Sequence, residues 1–104
     1  DVIVRLTGVA EDQARVERWI SEWALQNSSW ERVWTSGGES TVEVLRMGDD
    51  FYAPPALDVQ NGTEVAVRFR GRAESKTWKD WMVRFVEEFV AVHQGSQLVK
   101  FESA

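Results

Sequence analysis

Residue types that carry out catalysis or bind metals are sparse in this chain. Cysteine is absent from its 104 residues, which excludes thiolate chemistry, iron–sulfur ligation and cysteine-type zinc sites. No GxxxxGK[ST], GxGxxG, GxSxG or HExxH motif occurs. We therefore expect no cofactor, no metal and a non-enzymatic role.

His93 is the only histidine, and it falls in the last turn of a predicted helix. There we expect it to serve as a cation or a hydrogen-bonding group near the carbonyl end of that helix. The alternative is a catalytic dyad with an acid, because histidine is the usual proton shuttle in enzymes. No residue beside it in the sequence favours the alternative.

The best candidate site is an aromatic segment within Gly48–Ala56, which we call the proline loop. Its central residues, FYAPP, bring two rings and two rigid residues into a connection without a strand pattern. Loops on a rigid scaffold often carry binding residues. A protein partner or a small apolar ligand would suit these rings, whereas in the alternative interpretation they close one end of the domain. The predicted binding residues are Phe51, Tyr52, Pro54, Trp30, Trp34 and Trp78.

The six tryptophans are unusually many for a chain of this length. Tryptophan combines a large apolar area with one N–H that needs a partner, so it suits both cores and binding surfaces. We expect most of them to lie in the core. They form three pairs in the sequence: Trp19 and Trp23, Trp30 and Trp34, and Trp78 and Trp81.

The charge pattern argues against several partners. A net charge of −5 opposes nucleic-acid binding, which usually depends on neutralising phosphates. Residues 68–72, RFRGR, mix basic and aromatic side chains, but Phe69 alternates with the arginines and so points into the predicted core. No apolar run approaches the ~20 residues of a membrane-spanning helix, and the N-terminus lacks the features of a signal peptide. We predict a soluble cytoplasmic protein without a membrane or nucleic-acid partner.

Three arginines, Arg5, Arg68 and Arg70, fall on the predicted sheet face that points away from the helices. They could hold an anionic ligand. Mixed charges on neighbouring strands instead favour cross-strand pairs and a solvated face. The carboxylates expected to pair with them are Glu31, Glu43 and Glu64.

Two amphipathic helices dominate the predicted fold. Ala10–Gln26 carries an apolar stripe at Val16, Trp19, Ile20, Trp23 and Ala24. The longer helix, Ser75–Gln94, should begin at an N-cap on Ser75 or Thr77 and end at Gly95. Its apolar residues recur on one face of a 3.6-residue helix, at Trp78, Trp81, Met82, Phe85, Val86, Phe89 and Val90.

Alternating and turn-flanked segments predict the strands, which are Asp1–Thr7, Trp30–Thr35, Thr41–Met47, Leu57–Gln60, Thr63–Arg70 and Gln97–Glu102. Gly37-Gly38 and Asn61-Gly62 are the expected hairpin turns, the second of type I′. The order β-α-β-β-(β)-β-α-β over one domain, residues 1–104, predicts an α+β fold. The economical arrangement is a ferredoxin-like two-layer sandwich, with one mostly antiparallel sheet and both helices on one face.

Two main hypotheses on function follow, beside a third idea in which an edge strand or a helix forms a homodimer with a purely structural role. The first is a non-enzymatic binding or protein-interaction module, monomer or homodimer, that uses the proline loop and the nearby tryptophans. The alternative is a small cofactor-free enzyme or small-molecule-binding protein with a Trp-lined apolar pocket between helices and sheet. A cavity between the two layers would favour the alternative, and a flat apolar patch outside a solid core would favour the first.

Overall fold

A computed structural model describes residues 1–34, 41–47, 50–71 and 76–104, and within 29–34, 41–47 and 50–52 it describes the backbone alone. The predicted Gly37-Gly38 turn and Ser75 lie outside these residues. The described elements, in chain order, are β1 (Val2–Thr7), α1 (Gln13–Gln26), β2 (Ser29–Trp34), β3 (Thr41–Met47), β4 (Asp50–Tyr52), β5 (Ala56–Asn61), β6 (Glu64–Phe69), α2 (Lys76–Val92) and β7 (Gln97–Ser103).

Four of the strands form an antiparallel sheet, the core sheet, in the order β5-β6-β1-β7. β1 lies inside it, and Val4 pairs with Val67 on one side and with Phe101 on the other. Alternate residues of a strand share a face, so Val2 and Leu6 lie on the same face as Val4, and all three are buried. The predicted α+β class is confirmed, with one four-stranded antiparallel sheet and two helices among the described elements.

The helices and the core sheet meet around Phe85, which is fully buried. Its ring centroid lies 5.7 and 5.2 Å from those of Trp19 and Trp23 in α1, and 5.1 Å from that of Phe69 in β6. These rings meet edge to face, the arrangement that the aromatic quadrupole favours. Both helices therefore pack on the same face of the core sheet.

The apolar stripe of the longer helix is confirmed. Thr77 lies inside α2, so it is not the N-cap. The helix ends at Val92, and Gly95 follows with φ +87°, a left-handed conformation that favours glycine just beyond a helix. The buried residues of α2 are Trp78, Trp81, Met82, Phe85, Val86 and Phe89.

The first helix begins at Gln13, three residues later than the predicted Ala10. Asp12 is extended, with φ −72° and ψ 165°, and its carboxylate accepts the backbone N–H of Arg15 at 2.9 Å. This is N-cap geometry, so Glu11 and Asp12 precede the helix instead of forming its first turn. The predicted stripe is otherwise correct, because α1 buries Val16, Ile20, Trp23 and Ala24 and half-buries Trp19.

A second sheet departs from the single predicted one. β2, β3 and β4 pair in that order, and we call them the insertion sheet because they lie between α1 and β5 in the chain. β3 pairs with β2 and β4 on its two sides, which leaves it no edge for another strand. β4 falls in the proline loop, where no strand was predicted, and Ala53 alone separates it from Pro54 and Pro55. The predicted strand at Leu57–Gln60 corresponds to β5, which lies at one edge of the core sheet.

The β5–β6 hairpin turns one residue later than predicted. Asn61 pairs with Glu64, so the two central residues of the turn are Gly62 and Thr63. Gly62 has φ +60°, and among the described residues positive φ occurs at glycines alone. Glycine in the first central position is typical of a type II′ turn, whereas type I′ needs positive φ at both positions.

Gly8, which follows β1, lies close to the backbone of Gly95, which follows α2. It has φ +74°, and a Cβ at this position would lie 2.3 Å from the backbone oxygen of Gly95. Gly8→Ala should lower the free energy of unfolding by about 3 kcal/mol or more, since left-handed strain adds to steric overlap. Urea unfolding measures the loss.

Gly62→Ala is the matched control. Gly62 also has positive φ, but a Cβ there meets no atom within 4 Å. In Gly62→Ala the free energy of unfolding should therefore fall only by the cost of backbone strain, about 1–2 kcal/mol. Equal losses in the two variants would contradict the close approach of Gly8 to Gly95.

Candidate functional site

The predicted site residues separate into a buried one and a group on the insertion sheet. Trp78 has 0% of its surface exposed, so it belongs to the core and offers a ligand no contact surface. Trp81, its sequence neighbour, is also buried and donates its Nε1 hydrogen to the backbone oxygen of Asn27 at 3.0 Å. Trp81 thereby supports the junction between α1 and α2.

The register of the insertion sheet brings two of the predicted residues into one row. Trp30 of β2 pairs with Leu45 of β3, and Leu45 pairs with Tyr52 of β4. Phe51 occupies the neighbouring row, opposite Arg46. Neighbouring rows of a sheet belong to opposite faces. Phe51 and Tyr52 are adjacent in the predicted site, but their positions belong to opposite faces of the insertion sheet.

The position of Trp34 lies on the same face of the insertion sheet as that of Trp30. It lies four residues beyond Trp30 and pairs with Thr41, so alternation assigns it to the same face as Trp30. Between them, Arg32 pairs with Glu43 on β3. One face of the insertion sheet therefore carries the positions of three predicted aromatic residues and one oppositely charged pair.

The two prolines connect the insertion sheet to the core. Pro54 is half-buried and Pro55 is buried. Pro55 borders a groove of about 240 Å³ between α1 and β5, whose walls include Ile20 and Leu57. The proline end of the loop thus packs on the body of the domain, while Phe51 and Tyr52 belong to β4.

A shallow hollow of about 250 Å³ lies on the open face of the core sheet, the face away from the helices. Ala66 pairs with Arg5 on one side and Val59 on the other. Because alanine is far smaller than these two neighbours, it leaves a depression between them, which Val99 closes on the β7 side. This hollow was not predicted from the sequence, although a small residue within a strand of larger ones could have indicated it.

Arg5 and Arg68, two of the three arginines assigned to the open face, pair with carboxylates that were not predicted. Arg5 Nε lies 2.7 Å from Glu102 Oε2. Arg68 lies 3.3 Å from Asp1 and 3.5 Å from Asp58. Glu31 and Glu43 belong to the insertion sheet, so the assumption that they share a sheet with these arginines was wrong. With Arg5 and Arg68 already paired, the open face gives weak support to an anion site.

His93 is held by the core. It is buried, its Nδ1 lies 2.9 Å from the backbone oxygen of Phe89, and its ring stacks on the Phe89 ring at 4.0 Å between centroids. The Trp19 ring meets it edge-on at 5.2 Å. The expected role as a hydrogen-bonding group at the helix end is confirmed, and no carboxylate is recorded beside it among the described contacts.

A groove of about 260 Å³ crosses the outer surface between the two helices. Its floor is the half-buried Trp19 and the buried Trp23. Trp23 donates its Nε1 hydrogen to Glu88 at 2.6 Å, which links α1 to α2 across the groove. This bond satisfies a buried indole N–H, so Glu88 has a structural role there.

Neither a metal-binding cluster nor a membrane-spanning helix occurs among the described residues. Among the described residues, no three His, Cys, Asp or Glu side chains lie close enough to hold a metal ion. Neither helix of the described part combines the length and the hydropathy that crossing a membrane requires. Comparison of the chain with protein-family models, with curated proteins and with solved structures returned no match.

The Arg5–Glu102 pair makes a prediction about pH. The hydrogen bond from Arg5 holds the pKa of Glu102 below its ordinary value of 4.5, with a smaller contribution from Lys100. Because the folded-state pKa is lowered, this pair stabilises the fold above the unfolded-state pKa and ceases to do so as pH falls through the folded one. Arg5→Gln should raise the pKa of Glu102, measured by NMR titration of its side-chain carboxyl carbon.

Lys100→Gln is the control for this titration. Lys100 Nζ lies 3.6 Å from the same carboxylate and contributes less to its pKa than Arg5 does. Its substitution should therefore raise the pKa of Glu102 by a smaller amount. A larger shift from Lys100→Gln than from Arg5→Gln would show that Arg5 is not the main partner.

Proposed function

We propose that this chain is a non-enzymatic binding module that recognises a protein partner through one face of the insertion sheet. The observation that carries the proposal is the backbone register, in which Trp30 and Tyr52 occupy opposed positions on either side of Leu45. Positions opposed across a ladder share a face. Three of the aromatic residues predicted from the sequence, Trp30, Trp34 and Tyr52, therefore have their positions on one face of the insertion sheet.

The residue types on this face favour a protein over a small apolar ligand. Tryptophan, tyrosine and arginine are enriched at protein–protein interfaces and supply most of their binding hot spots. Arg32 and Glu43, paired across β2 and β3, add a polar element that fixes the orientation of a partner. A three-stranded sheet also spreads its aromatic positions over an extended surface.

The core sandwich serves as the scaffold in this proposal. Its strand order, β5-β6-β1-β7, and its helices after β1 and β6 support a ferredoxin-like arrangement into which the insertion sheet is added after α1. The absence of cysteine from the sequence supports residence in the reducing cytoplasm. Binding elements added to a rigid scaffold are a common way to acquire a partner.

The contacts of the described core support this proposal over the enzyme alternative. That alternative requires an apolar pocket between the helices and the core sheet. In that region the rings of Trp23 and Trp81 lie 5.0 Å apart, and Phe69 meets Trp81 at 5.8 Å. His93 is engaged with a backbone oxygen and two rings of the core. Opening a pocket there would break these aromatic contacts.

The test uses peptides selected from a random phage-displayed library on the immobilised chain. Their binding should weaken at least tenfold, about 1.4 kcal/mol, in Trp30→Ala and in Tyr52→Ala, because each removes one aromatic anchor. Titration calorimetry with a selected synthetic peptide measures the change.

Phe51→Ala is the matched control, since Phe51 is adjacent to Tyr52 in β4 but belongs to the other face. Peptide affinity should change less than twofold in this variant by the usual behaviour of residues outside a contact. Circular dichroism melting shows whether each variant stays folded. Equal weakening by Phe51→Ala and Tyr52→Ala, or peptides whose NMR footprint maps to the open face of the core sheet, would refute the proposed surface.

A further inference from the structure

Strand β7 is an edge strand with an unusual amount of exposed apolar surface. It ends the core sheet, and among the described strands it pairs with β1 alone. Leu98, Val99 and Phe101 are 38%, 56% and 43% exposed. Long apolar edge strands readily pair with another strand unless something covers them. We refer to the unpaired side of this strand as the β7 edge.

The main chain of Phe101 faces the β7 edge. The Ala104 N–H donates to the Asp1 oxygen at 3.1 Å, and the register then runs without a shift to Lys100. Bonded and non-bonded pairs alternate along an antiparallel ladder. The N–H and C=O of Glu102 and Lys100 therefore point to β1, while those of Phe101 point outward to the β7 edge.

The side chains around Phe101 alternate between an apolar residue on one face of β7 and charged residues on the other. Phe101 pairs with Val4 and so lies on the face that the helices cover. Lys100 and Glu102 lie on the open face, 3.6 Å apart, where Glu102 also binds Arg5. The β7 edge thus offers the outward-facing N–H and C=O of Phe101, flanked by one positive and one negative side chain.

This pattern is complementary to itself. If two β7 strands pair antiparallel about a two-fold axis at Phe101, Lys100 lies opposite Glu102 of the partner subunit, and Glu102 lies opposite Lys100 of the partner subunit. Centring the pair on Lys100 or on Glu102 would instead set like charges against each other, which is destabilising. Phe101 and its own copy would exchange two backbone hydrogen bonds.

The neighbouring flank of α2 continues the apolar surface. Trp81, Phe85 and Glu88 contact Trp23, so this side of α2 faces α1. Helical periodicity turns the stripe of Val83, Val86 and Val90 away from α1. Val83 is 45% exposed, and α2 contacts β7. The β7 edge and this flank form one apolar strip beside the helix layer.

We propose that the β7 edge binds a second copy of this chain. Antiparallel pairing of the two β7 strands, centred on Phe101, joins two core sheets into a continuous eight-stranded sheet. The interface buries Phe101 and the exposed flank of α2, and its reciprocal Lys100–Glu102 pairs set the register. This interface uses no residue of the insertion sheet, so the test of the dimer is independent of the test of the proposed function.

Sedimentation equilibrium on the purified chain tests this inference. The wild type should be a dimer, and Phe101→Glu should raise the dimer dissociation constant at least tenfold, because two like charges then meet at the axis. Val92→Glu is the control: Val92 is 59% exposed but borders the groove beside Trp19, and this variant should remain dimeric. A wild-type chain that stays monomeric at about 100 µM overturns the proposal.

A charge exchange tests the register and stays informative if Phe101→Glu fails to fold. Lys100→Glu alone and Glu102→Lys alone each set like charges opposite one another in a homodimer, so each should dimerise at least tenfold more weakly than wild type. Mixed in equal amounts, they restore two opposite pairs and should form a heterodimer, detectable by native mass spectrometry. Two variants that dimerise as well apart as together would rule out this register.

Discussion

The packing of Phe85 between three elements is the contact on which the whole domain depends. Its ring meets two tryptophans of α1, the Phe69 ring of β6 and, 5.7 Å away, the Phe89 ring of its own helix. A single side chain thus joins both helices to the core sheet. Removing a buried phenylalanine costs about 3–5 kcal/mol, a large share of the stability of a domain this size. Trp19 and Trp23 supply the α1 side of this contact.

Periodicity predicted the elements that bury a continuous stripe. The residues of α2 from Trp78 to Phe89 were assigned correctly because each buried position recurs on one helix face. The insertion sheet was not separated from the core sheet, because strand pairing depends on contacts between distant residues that a local pattern does not contain. β4 was missed for a simpler reason. It is three residues long and is followed by prolines, so no alternation could develop.

The candidate site was predictable in composition and not in geometry. The aromatic residues of β2 and β4 stood out by type, but a shift of one residue moves a side chain to the other face of a sheet. Tyr52 therefore joins Trp30 while Phe51 does not, and only the register reveals this. The partner of Arg5 was equally hidden. Glu102 lies 97 residues away in the sequence, and the two meet because β1 pairs with β7.

The two edges of the core sheet are protected to different degrees. At β5, Gln60 donates to the backbone oxygen of Glu11 at 2.9 Å, and α1 packs against the strand. Helix and loop contacts of this kind are a recognised way to keep an edge strand from pairing. At β7, the described residues provide no such cover over Phe101, and a register shift beside Leu98 is the main irregularity. A sheet that is protected at one edge and open at the other directs association to the open edge, which is why we propose the self-contact at β7.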